Sequence, residues 1–243
     1  MSTLDLYGQF MFQYVLEYRM NLSDASSNIK ATVFSEVAGL LGALADPRRL
    51  EILDLIAQRP RNVETLSQLL GAGVTTVSHH LQVMKRARLV SATKDGRRVY
   101  YEPTDTALSL WSTVSDVAAQ ASSEVRCALI KIAAGSHDEA LDYEELRRRV
   151  ATGEAVVLDV RPRDEYDSGH VPGAVSAPLE ELENHLDTLS RDKEILAYCR
   201  GRYCVLSYQA VRTLTQNGYH AARLAVGVTE WKGQGAALER SHT

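Results

Sequence analysis

The sequence predicts two domains in series: a mainly α-helical unit with one β-hairpin, and behind it an α/β unit with a parallel sheet. Two observations carry this. From residue 31 to 134 apolar side chains recur at helical spacing, interrupted once by β-prone runs flanking Asp95-Gly96. From residue 141 onward, short continuous apolar runs alternate with helical stretches, the pattern of strands covered on both faces. A length of 243 residues suffices for two cores.

In the first unit, Val33, Val37, Leu40, Leu41 and Leu44 space a helix over Ala31–Ala45. Asp46 then suits an N-cap and Pro47 the first position of a second helix, whose inner stripe is Leu50, Leu53 and Ala57. Asn62 can cap a short helix, Val63–Leu70, that buries Leu66, Leu69 and Leu70 and ends at Gly71-Ala72-Gly73. A further helix over Val74–Ala87 turns Val77, Leu81 and Met84 inward. Two helices joined by a tight glycine-containing turn form a helix-turn-helix, and the hairpin over Leu89–Tyr101 follows as a wing. Thr104–Ala134 reads as one long helix or two. In the second unit, Ala155–Val160, Ile195–Tyr198 and Ala221–Val226 read as strands, with a helix over Val205–Gln216 closed by Asn217-Gly218. The expected division is an N-terminal extension over 1–30, the winged-helix domain over 31–134, a linker over 135–140, and the α/β domain over 141–243. The extension reads as an extra dimer helix or a disordered lead.

Charge bears on partners. The net charge is −4, yet between Arg59 and Arg98 eight basic side chains face two acidic ones, whereas residues 135–243 carry 13 basic and 18 acidic. A basic stretch on the helix-turn-helix is a phosphate-binding footprint. No apolar run spans a membrane, and residues 1–20 lack the basic start and apolar run of a signal peptide, so a cytoplasmic protein without membrane contact is expected. Three cysteines, Cys127, Cys199 and Cys204, argue against a disulfide framework and leave free thiols. Cys127, near the end of the last helix of the first unit, is expected to be a packing residue.

The second helix of the motif presents Thr75, Thr76, Ser78, His79 and Gln82, short polar or amide side chains able to reach base edges in a major groove. Lys85, Arg86, Lys94, Arg97 and Arg98 flank them and can neutralise phosphates. A merely solvated face does not account for helix, turn, helix and basic hairpin in that order. The runs Ala45-Asp46-Pro47-Arg48-Arg49-Leu50-Glu51-Ile52-Leu53, Val77-Ser78-His79-His80-Leu81 and Asp95-Gly96-Arg97-Arg98-Val99-Tyr100-Tyr101 resemble the ArsR-type winged-helix repressors. The resemblance implies a homodimer built from the first and last helices of this unit. It also implies an inverted-repeat double-stranded operator and repression relieved by a signal. Members of that family hold metals through cysteine pairs on the first helix of the motif, or through Asp, His and Glu on the last helix. Val63–Leu70 has no cysteine or histidine, and the last helix offers Asp105, Asp116, Glu124 and Cys127 without a histidine. His79 and His80 point about 100° apart on a helix and do not share an ion. No metal site and no cofactor are therefore expected.

Cys199 follows a buried strand, and a helix begins near Val205. In parallel α/β sheets the chemistry sits at the carboxyl ends of strands. A loop curling into a helix N-terminus aims backbone N–H groups at its own centre, making an anion cradle. Such a cradle, with Arg200 and Arg202, is expected to lower the Cys199 pKa and make it a nucleophile for sulfane sulfur. Leu158-Asp159-Val160-Arg161, Glu165-Tyr166, Gly169-His170-Val171-Pro172-Gly173-Ala174 and Tyr198-Cys199-Arg200-Gly201 resemble the rhodanese family, as do Gly227-Val228, Trp231 and Gly235. In that family's pattern the glycine at 227 is followed by a second, replaced here by Val228. The resemblance implies that Cys199 carries sulfur as a persulfide and that Asp159 and Arg161 brace the site. His170 reads as a structural hydrogen-bonder. The six-residue loop Cys199–Cys204 resembles the sulfur-handling members, and the related phosphatases use a larger one. Cys204 either resolves a Cys199 persulfide or is a buried residue at the start of the helix. The expected function is a regulator, of repressor type, whose rhodanese-like unit senses or transfers sulfane sulfur from a small donor or responds to an oxidant. A sulfurtransferase tethered to DNA and a Cys199/Cys204 dithiol switch stand as alternatives.

Overall fold

In the computed structural model, residues 28–133, 138–139 and 143–241 are described, and the chain divides into two compact units, Met1–Pro47 and Arg48–Thr243. In the first unit residues 28–42 are helical (α1), leaving Val33, Phe34, Val37 and Leu41 exposed. Residues 1–27, most of the expected extension, lie outside the described residues.

From Arg48 on, the second unit holds the rest of α2 (Pro47–Gln58), then β1 (Arg61–Asn62), α3 (Val63–Leu70), α4 (Val74–Arg86), β2 (Val90–Asp95), β3 (Arg98–Pro103), α5 (Asp105–Ala121) and α6 (Ser123–Ala133). On α2, Ile52, Leu53, Ile56 and Ala57 are buried and Leu50 is half-buried. The Asn62 side chain accepts the Thr65 N–H at 2.8 Å and caps α3, which stops at Gly71 with φ +58°. Leu66 is buried, but Leu69 is 52% exposed, contrary to the expected stripe. Val77, Leu81 and Met84 are buried on α4 as their spacing requires. The wing pairs β2 with β3 antiparallel from Val90↔Pro103 to Asp95↔Arg98, and β1 joins on the far side of β3. Only Gly96 and Arg97 separate the paired ends, with Gly96 at φ +57°. The last helical stretch is two helices, broken at Ser122, whose backbone is extended.

The α/β part contains β4 (Asp138–Glu139), α7 (Tyr143–Thr152), β5 (Ala155–Asp159), α8 (Arg163–Ser168), β6 (Val175–Ser176), α9 (Leu182–His185), β7 (Glu194–Tyr198), α10 (Leu206–Gln216), β8 (Ala221–Leu224) and α11 (Val228–Gly233). The sheet order is β4-β8-β7-β5-β6, and every pairing is parallel. Asp138 and Glu139, placed by sequence in the linker, form the edge strand against Arg223 and Leu224. Residues 134–137 and 140–142 lie outside the described residues. Successive strand side chains point to opposite faces. Leu196 and Tyr198 therefore pack with Leu146, Val171, Val228 and Trp231, while Ile195, Ala197 and Cys199 pack with Leu182, Val211 and Leu214. Both faces of β7 are covered, so its sequence is continuously apolar. The register Asp159↔Tyr198 brings the carboxyl ends of β5 and β7 side by side, setting Arg161 near the cysteine loop. Among the described residues, no helix is long and apolar enough to cross a membrane.

Candidate functional site

Of the residues expected to read DNA, Thr75, Thr76, His79 and Gln82 are exposed along α4 and Ser78 is half-buried. Gln82 Nε2 lies 3.5 Å from the Tyr101 hydroxyl, tying this face to the wing. Lys85 and Arg86 in the last turn of α4, and Lys94, Arg97 and Arg98 on the hairpin, are exposed. The ten expected DNA-contacting residues thus lie on the α4 helix and the hairpin that follows it. No group of three or more His, Cys, Asp or Glu is placed to hold a metal ion among the described residues.

The cysteine loop leaves β7 and closes into α10. Cys199, 2% exposed, turns its Sγ toward Ser207 Oγ at 3.3 Å, Cys204 O at 3.5 Å and Gly201 O at 4.0 Å. Oxygen acceptors around a sulfur favour the S–H form. Burial, together with the neighbouring Cys204, pushes the Cys199 thiol well up. This corrects the expectation of a lowered pKa. The two arginines meant to lower it are engaged elsewhere. Arg200 donates to Glu165 through Nε at 3.0 Å and Nη2 at 2.8 Å, and Arg202 pairs with Asp116 of α5. Cys127 is exposed, so it does not pack within the chain as expected.

Asp159 and Arg161 form a fully buried pair at the end of β5. Arg161 Nε donates to Asp159 Oδ1 at 2.9 Å, its Nη2 reaches Asp159 Oδ2 at 2.5 Å and Gly169 O at 2.7 Å, and its Nη1 reaches Gln58 Oε1 at 3.1 Å. They touch the loop only indirectly, with the Arg161 guanidinium 5.9 Å from the Tyr198 ring. His170 stacks on Tyr166 at 3.7 Å, and its Nδ1 is 2.9 Å from Tyr166 O.

Sequence reasoning missed the residues that join this site to the helix-turn-helix. Buried Gln58 at the end of α2 donates to Thr229 Oγ1 at 2.8 Å as well as accepting from Arg161. Buried Glu165 is shared by Arg200 and by Arg61 of β1, the latter at 2.6 Å. Glu230 accepts the Arg202 N–H at 3.0 Å and the Gly227 N–H at 2.9 Å, so it clamps the loop to α11. Its position three residues after Gly227 is half of a capping-box signature that sequence inspection can find. Lys232, pushed down to about 8 chiefly by burial, donates to Ala57 O at 2.6 Å at the end of α2. The Tyr203 hydroxyl donates to Ser115 O of α5 at 2.9 Å, and its ring meets Trp111 edge-on at 6.0 Å.

Half-buried Asp54 of α2 faces the same cluster. Desolvation pushes its carboxyl from 3.8 up to about 6, with Glu230 and Glu165 adding and the Arg200 charge opposing. The folded protein therefore holds this proton more tightly than the unfolded chain. The resulting stability is present below about pH 4 and lost as pH rises through 6. Asp54→Asn is expected to gain stability over wild type by about 1–3 kcal/mol across that window. Denaturant midpoints for both proteins at each end of the window check it, and a constant gap would rule it out.

Residues 46–92 match the family model of the bacterial regulatory protein, arsR family, and residues 142–234 match that of the rhodanese-like domain. The chain is 40% identical over 214 residues to the HTH-type transcriptional regulator Rv0324 of Mycobacterium tuberculosis, covering 88% of this chain and 94% of the relative. It is 32% identical over 100 residues to a sulfurtransferase of Allochromatium vinosum, covering 40% of this chain and 92% of that protein. Among solved structures, the homodimeric winged helix-turn-helix DNA-binding domain of Mb0332 from Mycobacterium bovis is 38% identical, covering 39% of this chain and 89% of that one, with a TM-score of 0.37.

Proposed function

Because the chain belongs to the ArsR family of HTH-type transcriptional regulators and carries a rhodanese-like domain behind its DNA-binding motif, we propose that it is a homodimeric, sulfur-responsive repressor. Its winged-helix domain, residues 31–134, binds an inverted-repeat operator through α4 and the wing. Its rhodanese-like domain, residues 141–243, takes sulfane sulfur as a persulfide in the Cys199–Cys204 loop. Exposed apolar side chains on α1, and Val114, Val117 and Ile130 on α5 and α6, are surfaces that a second copy would cover.

One observation carries the regulatory part. The loop that holds the cysteines is itself bonded to α5, through Arg202–Asp116 and Tyr203–Ser115. Adding a sulfur atom to a loop this closely packed requires it to move, and residues 202 and 203 transmit that movement to a helix of the DNA-binding domain. Regulation of this kind needs only that the loaded and unloaded loops prefer different placements of α5. The closeness of Cys199 Sγ to the Cys204 backbone, 3.5 Å from its carbonyl oxygen, also favours a second reading, a dithiol switch in the same loop.

The test is fluorescence anisotropy on a duplex selected by the protein from random sequence, with and without inorganic polysulfide. Loading of the wild type is expected to change affinity about tenfold, the typical size of a coupling near 1.4 kcal/mol. Asp116→Ala should still take up sulfur by mass spectrometry while its DNA affinity no longer responds. An unchanged affinity in wild type whose loop is demonstrably loaded would sink the regulatory reading.

A further inference from the structure

Two consecutive acidic side chains in the first turn of α8 grip the segment that leads from α2 into the helix-turn-helix. Asp164 pairs with Arg59 at the surface, and Glu165 pairs with Arg61 at 2.6 Å, with both partners of this second pair buried. Arg61 Nε also donates to Leu55 O of α2 at 3.2 Å. Glu165 belongs to the rhodanese-like domain, whereas Arg61 is the first of the two residues of β1. Those two residues touch each part of the surface read as DNA-binding. Arg61 lies opposite Tyr101 of β3 and Asn62 opposite Tyr100, so β1 borders the wing. The Tyr101 hydroxyl lies 3.5 Å from Gln82 Nε2 of α4, and the Asn62 side chain caps α3.

We propose that the rhodanese-like domain is a working part of the DNA reader, with Glu165 as its positioning residue. By holding Arg61, Glu165 fixes β1, and β1 in turn fixes the wing, the cap of α3 and the Gln82 region of α4 relative to one another. The assignment rests on reading α4 and the hairpin as the DNA-contacting surface, and it requires no sulfur at Cys199. A strand of two residues is too short to hold its place unaided. The ion pair supplies the missing constraint. A buried pair adds little net stability over an apolar pair of the same shape, but a displaced partner leaves an uncompensated charge, so the pair tolerates little misplacement. Arg61 is itself enclosed and is not a phosphate contact.

The same carboxylate also serves the cysteine loop. Glu165 Oε1 accepts from Arg61 Nη2 at 2.6 Å and from Arg200 Nη2 at 2.8 Å, while Oε2 accepts from Arg200 Nε at 3.0 Å. The two-pronged contact with Arg200 sets the plane of the carboxylate, and that plane aims Oε1 at Arg61. The place of β1 therefore depends on two cations at one carboxylate, one from each domain.

The test uses the reduced full-length protein without a sulfur donor, titrated onto its selected duplex by fluorescence anisotropy over a series of potassium chloride concentrations. Arg61→Met removes the cation, keeps an apolar stem and leaves Glu165 paired with Arg200. It is expected to bind at least about tenfold more weakly, with the slope of log affinity against log salt flattened by about 2, the share of two phosphate contacts at roughly 0.9 each. A loss of stability alone does not move that slope in protein shown to be folded by the fluorescence of buried Trp231. Arg61→Lys keeps a cation within reach of Glu165 and should recover most of both quantities. Glu165→Gln should fall between Arg61→Met and wild type, and it decides the matter if Arg61→Met does not fold. Asp164→Asn severs only the surface pair and should stay within about twofold of wild type. Wild-type affinity and slope in Arg61→Met, or in Glu165→Gln where that variant decides, overturn the positioning role if Arg97→Ala in the wing weakens binding in the same assay. If Arg97→Ala also binds like wild type, the wing makes no DNA contact and Glu165 has no reading surface to position.

Discussion

Asp159→Ala is expected to destabilise the protein by about 3–5 kcal/mol, the cost of leaving one member of a buried ion pair without its partner. Arg161 and Asp159 are both fully buried, and the carboxylate also accepts the Arg161 backbone N–H at 3.0 Å. Without it, the guanidinium keeps only the Gly169 carbonyl and the Gln58 amide oxygen. Neither is an anion. The exposed pair Arg163–Asp167 on α8 is the control, since such pairs contribute about 0–1 kcal/mol. Urea denaturation followed by the fluorescence of Trp231, buried against Tyr198 at 5.1 Å, measures both variants. A loss in Asp159→Ala no larger than in Asp167→Ala would mean the pair does not brace the site. The effect should also reach the helix-turn-helix, because Arg161 holds Gln58 at the end of α2.

What the sequence made legible was local. Asn62 and Gly71 fix the ends of α3 by their own backbone chemistry, and the Val77, Leu81 and Met84 spacing fixes the inner face of α4. The apolar runs of β5 and β7 announce a doubly covered sheet, and the position of Cys199 after β7 follows from it. What was hidden depends on partners distant in sequence. Glu165 meets Arg61 104 positions away, and Gln58 meets Thr229 171 positions away. Each looks like an ordinary surface residue until the domains pack. Arg200 and Arg202 were placed correctly in the loop, but their charges were assigned to the cysteine because their carboxylate partners, Glu165 and Asp116, lie on other elements. The upward push on the Cys199 thiol has the same origin: periodicity puts it after β7, but only the curl of the loop buries its sulfur against the Gly201 and Cys204 carbonyl oxygens.

Gly227→Ala is the second large effect. A Cβ at this position would lie 2.4 Å from Cys199 O, 2.8 Å from Gly201 N and 2.9 Å from Arg200 C. All three are backbone atoms of the cysteine loop, so no side chain can swing aside and the loop itself must move. The N–H of Val228 reaches Cys199 O at 3.4 Å and that of Thr229 reaches Arg200 O at 2.9 Å, and both bonds weaken if the segments separate. Overpacking of this kind costs about 1–3 kcal/mol. The neighbouring position explains why a departure from the glycine pair is tolerated at Val228. Its side chain is fully buried in the core beside Leu224 and Trp231. Displacing the loop by even part of the missing space also disturbs the Glu230 clamp on Arg202 and the contact of Cys199 Sγ with Ser207 Oγ. Gly227→Ala is therefore expected to lower polysulfide uptake at the loop by more than tenfold, the counterpart of a change of about 1.4 kcal/mol. Gly235→Ala, where an added Cβ meets open space at φ +76°, should cost only backbone strain and leave uptake near wild type. Time-resolved mass spectrometry of sulfur addition, with urea midpoints on the same samples, separates loop damage from global instability. Wild-type uptake in Gly227→Ala would show that the close approach of α11 to the cysteine loop does not shape the site.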